Sequence, residues 1–104
     1  MEKSLSITTH HLDLPEWAGA VIRERAAHLE HFFPSLKGCS VLVEGPGKHH
    51  RRGGPFNVQI DLRVPGGEPL VVSRQNEAEL RVAVRSAFDA AIRQLADFAR
   101  VQRG

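Results

Sequence analysis

A single cysteine, Cys39, is all the thiol that the 104-residue chain carries. No disulfide can form within it, and a reducing cytoplasm is the compartment that fits. Nor is there a long apolar run, so no membrane span is expected. The opening residues, MEKSLSITTHH, lack the apolar stretch of a secretory signal. Internal repeats and low-complexity tracts are missing. So are a nucleophile elbow, a phosphate-binding loop and paired carboxylates. The chain therefore does not read as an enzyme, and neither a cofactor nor a small-molecule substrate is expected. Two histidine pairs, His10-His11 and His49-His50, come nearest to a metal site. Adjacent strand residues point to opposite faces, however, and no cysteine or carboxylate stands at ligand spacing, so no metal is expected.

What is present fills one domain, residues 1–104, with one core. Its clearest stretch is residues 56–64, FNVQIDLRV. Phe56, Val58, Ile60, Leu62 and Val64 alternate with polar residues, the period of a strand with one buried and one wet face. Shorter alternations predict strands over 4–8, with Leu5 and Ile7 inward, and over 38–44, with Cys39, Val41 and Val43 inward. After the tight turn Pro65-Gly66-Gly67-Glu68, a fourth strand is predicted over 70–74.

Two helices complete the pattern. Asp13 is placed to cap the first, with Pro15 in its first turn and Glu16 three residues on. Its apolar stripe runs Trp17/Ala18, Val21, Ile22, Ala26, Leu29, Phe32/Phe33, and Pro34 ends it. Trp17 reads as core. Asn76 is placed to open the second helix, with Glu79 completing a capping box. There Leu80, Val84, Ala87, Phe88, Ala91, Leu95 and Phe98 form the most regular helical stripe of the chain.

The order is β-α-β-β-β-α. A strand, a helix and a strand suggest a crossover with the first two strands parallel. Each strand has one apolar face, so both helices must cover the same face. The expectation is an α+β fold, an open two-layer sandwich on a four-stranded sheet. Leu5, Val41, Val43, Val58, Ile60, Leu62, Leu80, Val84, Phe88 and Leu95 should share one core.

Charge is uneven. The net charge is only +2, although the isoelectric point is near 9.2. Residues 45–54 hold Lys48, Arg51 and Arg52 and no acid, whereas residues 13–33 hold four acids against two arginines. This segregation suggests one basic face. The run Lys48-His49-His50-Arg51-Arg52 is framed by glycines that let the backbone approach a sugar–phosphate chain. Arginine forks pair with phosphates, and lysine adds a compact charge; the plainer alternative is a solvated loop. No aromatics interleave with the cations, so shape and phosphate contacts fit better than base stacking. On the last helix Arg81, Arg85, Asp89, Arg93 and Asp97 recur at four-residue spacing. A solvated face with Arg85–Asp89 and Arg93–Asp97 pairs is the competing reading.

The order of elements, the VPGGE turn at 64–68, and Glu79-Leu80, Ala83-Val84 and Arg93-Gln94-Leu95 of the last helix carry a resemblance. The chain resembles the ribosome hibernation promoting factor and ribosome-associated translation inhibitor family, also described as sigma-54 modulation proteins, in its short form. The likeness covers nearly the whole chain. Arg81 stands where the family commonly has an aromatic, and the last turns carry fewer lysines, with Asp97 among the arginines. The resemblance implies a cytoplasmic, ribosome-associated factor of the stationary phase and stress response. Its partner would be the small ribosomal subunit, bound through rRNA and ribosomal proteins in the channel used by messenger and transfer RNA, so that idle ribosomes are silenced. Carried over by position, the RNA contacts would be Lys48, Arg51, Arg52, Arg85, Arg93 and Arg100. Arg81, His49 and His50 complete the candidate set.

The histidines add a pH expectation. Their cationic neighbours should leave His49 and His50 mostly neutral at neutral pH in solution, whereas RNA phosphates favour the protonated form. Binding should then take up protons and tighten as pH falls from about 7.5 toward about 6. A reading of another class is a homodimerising interaction module. A two-residue Gly-Gly hairpin would pair Leu62 with Val71, leaving Leu42, Leu70 and Val72 on the open sheet face as an interface. Salt separates the readings, since phosphate binding falls steeply with salt and apolar association does not.

Overall fold

The computed structural model describes residues 4–46 and 55–103. The elements follow the expected order: β1 (Leu5–His10), α1 (Glu16–Phe32), β2 (Gly38–Glu44), β3 (Phe56–Arg63), β4 (Leu70–Glu77) and α2 (Leu80–Arg103). The sheet runs β1-β2-β3-β4. β1 lies parallel to β2, with Leu5 beside Cys39 and His10 beside Glu44. The β2–β3 and β3–β4 pairs are antiparallel. A single crossover, α1, thus joins the one parallel pair, and two antiparallel connections complete the sheet.

Both helices lie on one face, as the single apolar side of each strand requires. Ile22 and Leu29 of α1, Val84, Phe88 and Leu95 of α2, and Val41, Val43, Val58, Ile60 and Leu62 of the sheet are at most 1% exposed in one cluster. Leu80 joins them, while Leu5, nearer the sheet edge, is partly buried against them. No polar or charged residue is buried among the described residues. Every described charge therefore sits where solvent or a partner can reach it.

Four local expectations change. Asp13 does not cap α1; Pro15 occupies that position without a side-chain cap. Its carbonyl instead accepts the N–H groups of Ala18 and Gly19 at 3.0 and 3.2 Å. Asn76 does not open α2. It sits in β4 with φ +61, a left-handed conformation that asparagine tolerates. Its N–H is taken by Asn57 Oδ1 at 2.9 Å, beside a register shift between Phe56 and Val58. With Asn76 held in the strand the capping box cannot form, and α2 starts at Leu80.

Trp17 is 42% exposed and lies outside the core. Neighbouring helix positions lie about 100° apart, so only one of Trp17 and Ala18 can face the sheet, and the smaller residue does.

The fourth change is the hairpin. Leu62 pairs with Leu70, not Val71. The connection spans residues 64–69, bends at Gly66 with φ +68, and carries prolines at 65 and 69 that cannot donate to a ladder. A one-residue slip moves every side chain to the other face. Val72 accordingly enters the core at 6% exposure, while Val71 faces outward at 53%. Leu70 packs against the core, and of the proposed trio only Leu42 remains on the open face. The Leu42, Leu70, Val72 interface does not exist.

Candidate nucleic-acid interface

The topology collects several termini at one end of the sheet. β1 ends at His10 beside Glu44, the end of β2. β3 begins at Phe56 beside Glu77, the end of β4. The chain leaves β2 through Pro46 and enters β3 through Pro55 at this end. α1 starts shortly after β1, and α2 shortly after β4. Trp17, Arg81 and Arg85 therefore stand at the end from which the basic loop departs. Lys48, His49, His50, Arg51 and Arg52 themselves lie outside the described residues.

Close packing holds the entry to that loop. The Gly45 N–H donates to the His10 carbonyl at 2.9 Å. A side chain at Gly45 would come within 2.6 Å of the His11 carbonyl oxygen, so β1 and β2 approach there as only glycine permits. Next to it His10 Nδ1 lies 3.5 Å from Glu44 Oε2, and the His10 and His11 rings are 4.3 Å apart. Among the described residues no three histidine, cysteine or acidic side chains come together as a metal site would need.

The helix cations are divided. Four residues advance an α-helix by one turn and about 40°, so a row at that spacing winds around it. Arg81 and Arg85 line a groove of about 340 Å³ against α1. Arg93 lines a separate cleft of about 390 Å³ against β4, with Arg74, Gln94 and Asp97. Arg100 lies in the last turns of the helix. From Arg81 to Arg100 the row covers about 28 Å along the axis, a span that fits an extended phosphate backbone better than one anion.

The expected acid partners are also exchanged. Asp89 pairs with Arg25 of α1 at 4.0 Å, and Asp97 pairs with Arg100. Among the described residues, neither Arg85 nor Arg93 has an acid within ion-pair distance. Arg81 places its guanidinium 5.6 Å from the centroid of the Trp17 ring.

Two contributors escaped the sequence reading. Arg74 points toward the helices, where its Nε donates to Ser86 Oγ at 2.7 Å and Nη1 donates to the Ser73 carbonyl at 2.9 Å. Its signal was strand parity with Leu70 and Val72, legible only with the correct register. Trp17 was hidden by the stripe it shares with Ala18. The opposite sheet face differs in character. Ser6 and Ser40 hydrogen-bond there at 3.1 Å, and Thr8, Leu42 and Gln59 flank them. Asp61 and Glu44 offset Arg63. The described cations without acid partners concentrate on the helical side.

Comparisons with known proteins agree with this architecture. The N-terminal domain of Protein Y from Thermus thermophilus aligns with TM-score 0.72 and 19% identity, over 89% of this chain and 94% of that one. A ribosomal subunit interface protein from Coxiella burnetii aligns with TM-score 0.72 and 8% identity, over 91% of this chain and 98% of that one. At such identities the likeness is one of fold. No curated protein matches the sequence. The family model described as sigma 54 modulation protein / S30EA ribosomal protein matches residues 5–103, and the chain belongs to that family.

Proposed function

We propose that the protein is a ribosome-associated factor that lays the helical side and the basic loop against rRNA of the small ribosomal subunit and silences idle ribosomes. It acts in the cytoplasm, needs no cofactor, and works by occupying the path of messenger and transfer RNA. Family membership supports the ribosome as partner. The observation that carries the rest is the gathering of Arg81 and Arg85 at the end of the sheet from which the loop departs. Lys48, Arg51, Arg52, Arg85, Arg93 and Arg100 are the phosphate contacts of this reading. Its sequence-independent attraction arises from counterion release and weakens with salt. His49 and His50 take up protons on binding, so affinity rises toward pH 6; replacing both with glutamine removes that slope if the histidines sense pH.

The test is co-sedimentation with purified small subunits over a range of salt. Arg51→Ala with Arg52→Ala weakens binding and flattens the salt dependence by about one to two phosphates' worth. An unchanged slope in the double variant makes the loop a bystander, and no sedimentation of the wild type removes the reading altogether.

A further inference from the structure

The groove between α1 and α2 contains chemistry that phosphate binding does not use. Trp17 is the only tryptophan of the chain, and it stands open to solvent in the first turn of α1. Arg81 covers part of its ring, while Val21 and Val84 give the groove an apolar lining. We infer that Trp17, with Arg81 as its displaceable cover, forms a stacking platform for one unpaired nucleobase of the RNA that the proposed function brings to this side.

Three features favour a base over a bare phosphate or an acidic peptide. An exposed indole offers a flat π surface, which stacks on any base and brings no charge to pair with an anion. The guanidinium resting on it is weakly hydrated and itself stacks well. It can leave the ring for a flanking phosphate as the base arrives, so the site exchanges one planar partner for another. Glu24 also lines the groove. A carboxylate there repels a phosphate or an acidic side chain, yet it accepts a hydrogen bond from a base edge carrying an amine, as cytosine does. Arg25 is engaged by Asp89 at 4.0 Å, which leaves Arg81 and Arg85 as the cations for the phosphates on either side of the base. The volume of about 340 Å³ lies at the small end of ligand clefts, the scale of one nucleotide.

Because Trp17 is the sole tryptophan, its emission reports on this groove alone. The full chain is titrated with a short oligocytidylate, with an abasic sugar–phosphate oligomer of equal charge, and with polyglutamate. Stacking predicts quenching by the first and none by the other two. Trp17→Ala should weaken oligocytidylate binding by about 5- to 160-fold without changing the salt slope, since no phosphate contact is lost. Trp17→Phe should keep most of the affinity, and circular dichroism of both variants checks that they fold. Equal quenching by the abasic oligomer overturns the inference, as does quenching by polyglutamate alone, which would assign the groove to an acidic peptide. The inference rests on the proposed function, and sedimentation with small subunits separates the two. Subunit binding with no quenching by oligocytidylate overturns the platform only; absence of both overturns both.

Discussion

Cys39 shows how burial silences a reactive group. Its thiol is 1% exposed on the inward face of β2. Desolvation, reinforced by the nearby Asp61 carboxylate, raises its pKa from 9.0 to about 11. At neutral pH the folded protein should resist an aromatic disulfide reagent and react only after denaturant is added. A raised pKa also gives a stability contribution that is fully present below 9.0 and lost as pH rises through about 11. The unfolding free energy should therefore fall across that window, by on the order of 2–3 kcal/mol at most, and Cys39→Ala should flatten the fall. A second residue-scale contrast lies in β4. Val72→Glu puts a charge into the core and should abolish cooperative unfolding. Val71→Glu, one residue away on the wet face, should cost no more than about 0.5 kcal/mol. If thermal melts show the two variants equally damaged, the register of β3 against β4 is wrong.

At the scale of elements, β3 and α2 carry different loads. β3 is flanked by strands on both sides and covered by a helix, so Ile60→Ala should cost about 2–5 kcal/mol in chemical denaturation. α2 supplies core on one side and two groups of cations on others. Arg85 faces α1 and Arg93 faces β4, and eight residues separate them by about 12 Å along the axis. Their contributions to subunit binding should be independent. The losses from Arg85→Ala and Arg93→Ala should add in the double variant to within about 0.5 kcal/mol. Strong non-additivity in co-sedimentation would mean that both arginines serve one shared contact, contrary to the division of the helix.

For the whole molecule, the two faces of the sheet differ in character. One is sealed by helices that display arginines; the other carries serine, threonine and glutamine with both signs of charge around Leu42 and Val71. Thr8→Glu on that open face should leave affinity for the small subunit and its salt slope unchanged. Arg85→Glu should weaken binding at least tenfold at low salt, because it removes an attraction and adds a repulsion. If Thr8→Glu does equal harm, the open face is the contact surface.

Periodicity, with the crossover rule for a strand, a helix and a strand, was enough for the element order, the parallel first pair, the single covered face and nearly all of the core. Side-chain spacing of two or near 3.6 residues is a local property, and a chain of this size has few ways to bury such stripes together. The run of cations at 48–52 and the arginines of α2 were legible for the same reason, as composition and spacing. Three features needed the tertiary structure. The register of β4 depended on a connection whose prolines and left-handed glycine changed its length by one residue. The start of α2 depended on Asn57, nineteen positions away, capturing the Asn76 N–H. The place of Trp17 depended on α1 turning Ala18 inward, so that the indole met Arg81 from the other end of the sequence. The last two are contacts between segments distant in the chain, and local spacing carries no information about which distant group will be there; the first turns on backbone angles within the connection, which side-chain spacing does not report.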